Sequence, residues 1–315
     1  MKQRIVLLVV VAGFVLVSGS WSWANPPTAT NDRWPHYSPD GTRIVFVSNR
    51  GGTFSPFIMR ADGSGLKAVP VTLEGGRQFG GVVWYSNDKL LFSEVESIRF
   101  GGYDDGGEIA TFVRASIDDG DSQTLFAGIN TERPAVSPSG DSLVFEAEHG
   151  AFQSNPTIDI ETLELSTLAV NVLTHHDGTN VQAAWSPDGT SIAYACATGN
   201  NALQICTMRS DGTGSRILTS GAGSHQWPAW SPDAKHIAYF NESKVQGKTD
   251  SVIAVVDTDG GGDHVITSHP GVVRDETPSW SPDGRFIAFQ TDRMGGTFRI
   301  AIIHPDGTGF QVLTR

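Results

Sequence analysis

A hydroxyl and a carboxylate recur together along this sequence, in segments that read Ser-Pro-Asp-Gly or a close variant. Serine and aspartate at short spacing are residue types that can act as nucleophile and general acid or base. Proline, aspartate and glycine in succession are also what a tight turn needs, because proline fixes φ and glycine accepts positive φ. Recurrence along the whole chain favours the turn. The serines are Ser38, Ser86, Ser137, Ser186, Ser231 and Ser281.

The residues just before these turns differ from copy to copy. Counting back four, five and six residues from each serine gives a polar set with charges of both signs. A purely structural position would repeat, so we predict that this set forms a binding surface; ordinary variation of solvated loops is the alternative. The predicted binding residues are Arg33, Trp34, Glu132, Arg133, Asn180, Gln182, His225, Gln226, Trp227, Asp275 and Glu276.

Four histidines fall in the same segments between copies and raise the alternative of a metal site. Histidine is the commonest transition-metal ligand, and Gln226 and Glu276 could add oxygen donors. His175, His176, His225 and His269 lie 11, 10, 6 and 12 residues before their serines. Unequal offsets do not indicate a common coordination geometry. We therefore predict no metal ligand, no catalytic residue and no cofactor, with a divalent cation kept as an alternative.

The elements that must position these residues follow from the period of the repeat. The serines are 48, 51, 49, 45 and 50 residues apart, which indicates a repeat architecture. Each copy contains four short extended segments, and Asp-Gly pairs between the later ones favour hairpins. The second segment is apolar at consecutive positions, as in Ile44, Val45 and Phe46, so both of its faces must be covered.

This pattern predicts an all-β protein, a six-bladed β-propeller of four-stranded antiparallel blades. Radial packing buries both faces of each sheet against its neighbours. Each blade is expected from one contiguous copy, so side-chain packing must seal the first blade against the last. The connections between blades would converge on one mouth of the central channel, where we place the binding surface.

The N-terminus has the pattern of a secretory signal peptide. Lys2 and Arg4 precede an uncharged run over 5–17, and Ser22-Trp23-Ala24 offers small residues for cleavage. We predict a signal peptide over 1–24, a short linker over 25–32 and the propeller over 33–315. An uncleaved anchor is the alternative. Cleavage near Ala24 would leave a periplasmic or secreted protein with no membrane insertion.

Charge excludes some partners. The formal net charge is −12, and removing the two positive charges of the leader gives −14. No basic field is available to neutralise phosphates, so neither nucleic acid nor an anionic membrane is expected as a partner. Acidic charge also favours a soluble monomer.

Two further features are local. Cys196 and Cys206 flank a predicted hairpin turn, where they either form a disulfide or lie as two small buried side chains. The second copy carries an insertion over 96–110, and the fifth a shorter one over 241–250. The first is interpreted as a flexible surface loop, with a contact lid or a weak cation site as the alternative.

Pro-x-Trp-Ser-Pro-Asp-Gly, then Ile-Ala-Phe, an Asp-Gly hairpin and Leu-Thr together resemble the propeller repeat of the TolB family, over about 33–315. In that family TolB itself is a periplasmic component of the Tol–Pal envelope system, with an α/β domain ahead of its propeller. Only about eight residues separate the predicted cleavage site from the first repeat. We therefore expect a propeller without that domain.

The combined expectation is an exported scaffold that binds envelope protein partners at the channel mouth. Two alternatives remain. One is a metal-dependent carbohydrate-active enzyme, because some propeller lyases acting on uronate oligosaccharides bind manganese through His and Gln. The other is a protein that binds a glycan or small ligand. No Gly-x-Ser-x-Gly elbow is present, so a serine hydrolase is not predicted.

Overall fold

The computed structural model describes residues 29–73, 77–98, 107–129, 131–149, 157–175, 178–198 and 202–315. Across these residues the chain is all-β, with twenty-four strands in six four-stranded antiparallel sheets and no helix. Each sheet is a meander of consecutive strands. The predicted six-bladed propeller of contiguous blades is confirmed.

The strands occupy equivalent places in each blade. The first strands are β1 (Asp32–Tyr37), β5 (Gln78–Ser86), β9 (Thr131–Val136), β13 (Asn180–Trp185), β17 (Ser224–Trp230) and β21 (Asp275–Trp280). The second strands are β2 (Arg43–Ser48), β6 (Lys89–Ile98), β10 (Ser142–His149), β14 (Ser191–Ala197), β18 (His236–Val245) and β22 (Ile287–Thr291). The third strands are β3 (Ser55–Arg60), β7 (Gly107–Ser116), β11 (Thr157–Glu164), β15 (Leu203–Arg209), β19 (Lys248–Asp257) and β23 (Arg299–Ile303). The fourth strands are β4 (Lys67–Ala68), β8 (Ser122–Ile129), β12 (Val170–Val172), β16 (Arg216–Ile217), β20 (His264–Val265) and β24 (Gln311–Val312).

The first strands form the inner ring. Each contacts the first strand of the next blade, and β21 returns to β1, so the ring is closed. The fourth strands are outermost and mostly two or three residues long. Short outer strands leave few unpaired backbone groups available for aggregation.

The core lies between the blades. Each of six apolar clusters joins one pair of neighbouring sheets. The second strands supply its centre, and Phe46, Phe145 and Phe289 are fully buried. Burying such a side chain contributes on the order of 2 kcal/mol, which explains why both faces of these strands are apolar.

The Ser-Pro-Asp-Gly segments are turns between the first and second strands. In the first blade the Ser38 hydroxyl donates to Asp40 Oδ1 (2.6 Å), and the same oxygen accepts the backbone N–H of Thr42 (3.0 Å). Hydrogen bonding to Ser38 comes first among the causes that hold the pKa of Asp40 below its usual range. The carboxylates therefore act within the turns, as the turn interpretation expects.

The two copies without the turn glycine differ. Ala234 adopts φ 58°, in the left-handed region that glycine favours, so the fifth turn keeps its shape with backbone strain. In the second copy Ser86 pairs directly with Lys89, and Lys89 starts β6. That turn is shorter and needs no glycine.

The first and last blades meet through an apolar cluster that includes Phe46, Met59 and Ile300. Hydrogen bonds add to this packing. The N–H of Asp32 donates to Phe298 O (3.0 Å), and the N–H of Phe298 donates to Asn31 Oδ1 (2.9 Å). The interface is thus held by backbone bonds as well as by the side-chain packing that the sequence predicts.

Cys196 and Cys206 form a disulfide with a Cα–Cα distance of 5.9 Å. They lie diagonally, because Cys206 is opposite Tyr194 and Cys196 is opposite Gln204. The sequence left open a disulfide or two small buried side chains, and the structure shows the disulfide.

Both predicted insertions extend hairpins between second and third strands. In the second blade the pairing continues to Ile98 and Gly107, and 99–106 lies outside the described residues. In the fifth blade the pairing reaches Val245 and Lys248, closed by Gln246 and Gly247 at positive φ.

The predicted signal peptide over 1–24 also lies outside the described residues. Within the described ranges, no helix is long and apolar enough to cross a membrane.

Candidate functional site at the channel mouth

The meander fixes which loops share an end of the propeller. Connections from fourth strands to the next first strands lie at the same end as those between second and third strands. We call this the loop end; the Ser-Pro-Asp-Gly turns lie at the opposite, turn end. The predicted binding residues all lie where the inner strands begin, so the topology places their backbones together at the loop end.

A backbone irregularity repeats at this place. In five of the six described blades, the residue four before the turn serine has left-handed φ. The inner strand shifts register there, as between Arg33 and His36 in the first blade, which is a β-bulge. The five are Trp34 (56°), Arg133 (51°), Gln182 (61°), Trp227 (55°) and Thr277 (54°).

Side chains of neighbouring blades hold three of these bulges. The N–H of Trp34 donates to Gln290 Oε1 (3.0 Å) in the sixth blade. The N–H of Gln182 donates to Glu146 Oε2 (2.9 Å) in the third, and that of Trp227 to Gln182 Oε1 (2.9 Å) in the fourth. Each bond joins two blades. The bonds therefore stabilise both the left-handed backbone at the bulges and the contacts between neighbouring blades.

The third, fourth and fifth blades share one polar network. Arg133 donates through Nη1 to Glu146, and its guanidinium lies 5.2 Å from the centroid of the Trp227 ring. Gln182 Nε2 donates to Gln226 Oε1 (3.3 Å). Arg133 therefore spans from the third blade to the fifth, in a charge-assisted bond and a cation–π contact.

The sixth and first blades form a second group. Gln290 accepts from Trp34 and donates through Nε2 to Glu276 Oε2 (2.8 Å). Burial raises the pKa of Glu276, against the opposing effects of Arg274 and Gln290. Arg33 lies 5.5 Å from the Phe54 centroid and 5.3 Å from that of Phe298, and burial lowers its pKa.

Three predicted binding residues are buried. Asp275 is fully buried and paired with Arg293, and Asn180 is 4% exposed. His225 is 2% exposed, packs against Tyr239 with the ring centroids 4.9 Å apart, and has its pKa lowered by burial. These three side chains, six before their serines, therefore lie within the blades, because they alternate in direction with those at five.

Glu132 lies on β9 opposite Glu146, and its side chain is outside the described part. Of the four histidines of the metal alternative, three are described, and these three lie in different surroundings. His175 is exposed, His176 is not described, and His269 lies near the Gly271 and Ser251 carbonyls. Among the described residues, no group of three His, Cys, Asp or Glu side chains is placed to hold a metal ion.

Sequence reasoning missed two residues at the mouth. Glu146 and Gln290 lie on second strands, nine positions after their turn serines, where the other four blades have Val, Ala or Phe. A polar residue at an apolar repeat position was the signal. Sequence reasoning also missed His36, farther along inner strand β1, where burial lowers its pKa to about 4.

The turn end has two grooves, of about 310 and 380 Å³, on the third to fifth blades. Turn residues such as Asp188 and Ser186 line them. Their carboxylates are already bonded within the turns, as Ser186 Oγ is to Asp188 Oδ1 at 2.6 Å. The carboxylates that line these grooves are therefore engaged in forming the turns.

Comparison with known proteins agrees with this architecture. A family model described as the TolB beta propeller domain matches residues 151–314, just over half of the chain. No curated protein sequence matches significantly.

Solved structures share the fold. TolB from Acinetobacter baumannii superposes with a TM-score of 0.64 at 20% identity, covering 91% of this chain. This chain spans 63% of the length of that protein. A putative TolB from Agrobacterium tumefaciens gives a TM-score of 0.59 at 19% identity, with 81% of this chain and 87% of that one covered. An oligogalacturonate lyase from Vibrio parahaemolyticus gives 0.59 at 14%, with 92% and 80% covered.

Proposed function

The chain belongs to the TolB beta propeller domain family, and from this premise we propose that it is an exported binding scaffold of the cell envelope. Its channel mouth would recognise an envelope protein partner by binding and not by catalysis. Family membership carries no partner with it, because these propellers share a fold and not one function.

The observation that carries the proposal is the ring of left-handed residues. A left-handed conformation costs roughly 1–2 kcal/mol for a residue with a side chain, so a structural ring would favour glycine. The five positions instead hold two tryptophans, an arginine, a glutamine and a threonine. Strained backbone that presents different side chains from a repeated frame is typical of functional surfaces.

Two arguments support export. The sequence over 1–24 has the three parts of a secretory leader. TolB, whose repeat this sequence resembles, is periplasmic. Fractionation of the host would place the protein in the periplasm or medium, with a mature N-terminus near Asn25 by mass spectrometry. A cytoplasmic protein that keeps residues 1–24 would contradict export, whereas a membrane-bound protein that keeps them would show that the leader stays attached as an anchor.

Crosslinking from the two ends of the propeller tests the binding role. A photoreactive phenylalanine at Gln226, at the loop end, is expected to give a discrete protein adduct in the host envelope. The matched control carries the same residue at Thr258, at the turn end, and should give none. Adducts of equal yield from both ends, or no adduct from the loop end, would contradict the proposal.

A further inference from the structure

The outermost strand of the second blade differs from its five counterparts. β8 (Ser122–Ile129) has eight residues, whereas β4, β12, β16, β20 and β24 have two or three. β8 is the last strand of its sheet, so within the described part of the chain its outer edge pairs with no other strand. The outer edge of such a strand carries unpaired backbone N–H and C=O groups, to which another extended chain can bond.

In four of the other blades a threonine ends the outer strand. Thr219 Oγ1 accepts the N–H of Ile205 (2.9 Å), so the hydroxyl takes the place of further backbone pairing. Three more threonines make the same bond at 2.9–3.0 Å, and these are Thr174, Thr267 and Thr314. In the first blade Pro70, which has no N–H, follows Val69 at the same repeat position.

The second blade has neither residue at this position. Residues 122–126 align with 215–219, which places Phe126 where Thr219 stands in the fourth blade. A phenyl side chain cannot accept the third-strand N–H as a hydroxyl does. Backbone pairing with β7 continues instead past Phe126 to Ile129. The long outer edge thus goes with a change at one repeat position.

The edge is open to pairing. Its sequence, SQTLFAGI, has one β-bulge at Leu125 but no charged residue and no proline, two features that block pairing at exposed edges. The N–H of Ser116 donates to Asp121 O (2.9 Å), so Asp121 bonds towards β7. Because this direction alternates along a strand, the N–H of Thr124 points away from β7. Residues 122–124 are exposed, so a partner strand can reach this backbone.

The apolar side chains of β8 indicate one property of that partner. Leu125 and Phe126 are half-buried and pack on the cluster between the second and third blades. A strand added outside β8 would direct alternate side chains onto the same face. Apolar residues at those alternate positions would cover the exposed part of Leu125 and Phe126 and stabilise the pairing.

Charge indicates a second property. The turn that leads into β8 carries three exposed carboxylates, Asp118, Asp119 and Asp121. Lys67, 3.8 Å from Asp118, offsets one of these charges. A basic residue at the end of the paired segment would therefore be attracted to this turn. A second copy of this chain fits less well, because each copy has a formal net charge of −12.

We propose that β8 binds an extended segment of a partner protein as a fifth strand of the second blade. The segment has apolar residues at alternate positions and a basic residue beside the turn at 118–121. Main-chain bonds supply the affinity, and side chains select the partner. Because the next inner strand begins at Thr131, β8 ends at the loop end, and the segment lies alongside the channel mouth. That the partner is an envelope protein rests on the proposed function.

Titration with a synthetic peptide tests the edge directly. The probe alternates valine and threonine and has lysine at both ends. It should bind the full chain and slow amide hydrogen exchange in β8, while exchange in the outer strand β16 (Arg216–Ile217) stays unchanged. The same peptide, N-methylated at two successive central amides, cannot pair on either edge and should not bind. Glutamate in place of both lysines should weaken binding about threefold or more.

A pair of variants tests the backbone of β8. T124P removes an N–H that points towards the partner, at an edge position that proline tolerates, and should weaken binding of the lysine peptide about fivefold to tenfold. T124V keeps this N–H and a side chain of similar shape, so it should bind the peptide as the wild type does. Melting temperatures show that both variants are folded.

Three results would overturn the fifth strand: no binding of the lysine peptide, equal binding of the N-methylated peptide, or binding that leaves exchange in β8 unchanged. Equal affinity for the lysine and glutamate peptides would overturn the basic residue of the partner. The proposed function fails separately. If the peptide protects β8 but the wild type gives no loop-end crosslink in the host envelope, the edge stands and the envelope partner does not.

Discussion

Residues in left-handed backbone conformations give the most direct test of local energetics in this fold. Ala234 takes the place that glycine holds at 284 in the next turn, and the two φ values are 58° and 71°. We predict that A234G stabilises the protein by about 0.5–1 kcal/mol, because relief of strain exceeds the added entropy of the unfolded chain. Urea denaturation measures the change.

The reciprocal variant is the control. G284A should destabilise by about 1 kcal/mol, since it introduces the same strain and places a Cβ 3.4 Å from Pro232. If A234G raises the free energy of unfolding and G284A lowers it, the change in stability is due to φ at this turn position. A loss of stability in both variants would show that tertiary packing outweighs backbone strain.

Buried imidazoles predict how stability depends on pH. Burial lowers the pKa of His36 to about 4 and also lowers that of His225. Both imidazoles are therefore harder to protonate in the folded chain than in the unfolded chain, where their pKa returns to about 6.5. The contribution of His36 is complete above pH 6.5 and is lost as the pH falls through 6.5 towards 4, and that of His225 is lost in the same direction below pH 6.5.

We expect the free energy of unfolding to fall by roughly 2 kcal/mol over that window, and H36Q to flatten the slope. The turn aspartates act in a different window, because hydrogen bonds lower their pKa and their contribution is lost only near pH 4 and below. A slope that is unchanged in H36Q would contradict the assignment to His36.

At the scale of elements, turns and paired strands could be predicted because their chemistry is local. Pro, Asp and Gly specify the turn, and consecutive apolar residues such as Ile44 and Val45 specify a strand covered on both faces. The bulges could not be predicted. Trp34 and Thr277 have no intrinsic preference for left-handed φ, and at Trp34 the bond that holds it comes from Gln290, which lies 256 residues away.

The candidate site could likewise be predicted only where its chemistry is local. Residues five and six before the serine were grouped by distance along the chain, yet strand alternation separates Glu276 from Asp275. Glu146 and Gln290 were not predicted because they lie on second strands, outside the positions four to six residues before each serine. Proximity across blades depends on the ring, and no local pattern encodes it.

The disulfide of the fourth blade tests how much a cross-link between two neighbouring strands stabilises the protein. It joins β14 to β15 across a separation of 10 residues. Reduction should lower the free energy of unfolding by about 2–3 kcal/mol, because the cross-link restricts the unfolded chain. Denaturation with and without reductant measures this. The C196A/C206A variant, insensitive to reductant, is the control; equal stability of oxidised and reduced wild type would contradict the prediction.

The whole molecule depends on closing the ring. Five of its junctions join sheets that follow each other in the chain, whereas the first and sixth blades must meet across nearly the full sequence. Asn31 is central to that junction, since its Oδ1 accepts the Phe298 N–H (2.9 Å) and its own N–H donates to Asn49 Oδ1 (2.6 Å). Closing such long-range contacts is entropically the most demanding step of folding.

We therefore predict that N31A destabilises by about 1–2 kcal/mol, because it leaves the Phe298 N–H without its acceptor. Amide hydrogen exchange should accelerate in the first and sixth blades before the others, which would identify their junction as the weakest. N87A is the matched control, since Asn87 accepts an exposed bond from Asp40 (3.0 Å) between the first and second blades. Uniform acceleration around the ring in N31A would show instead that the propeller opens as one cooperative unit.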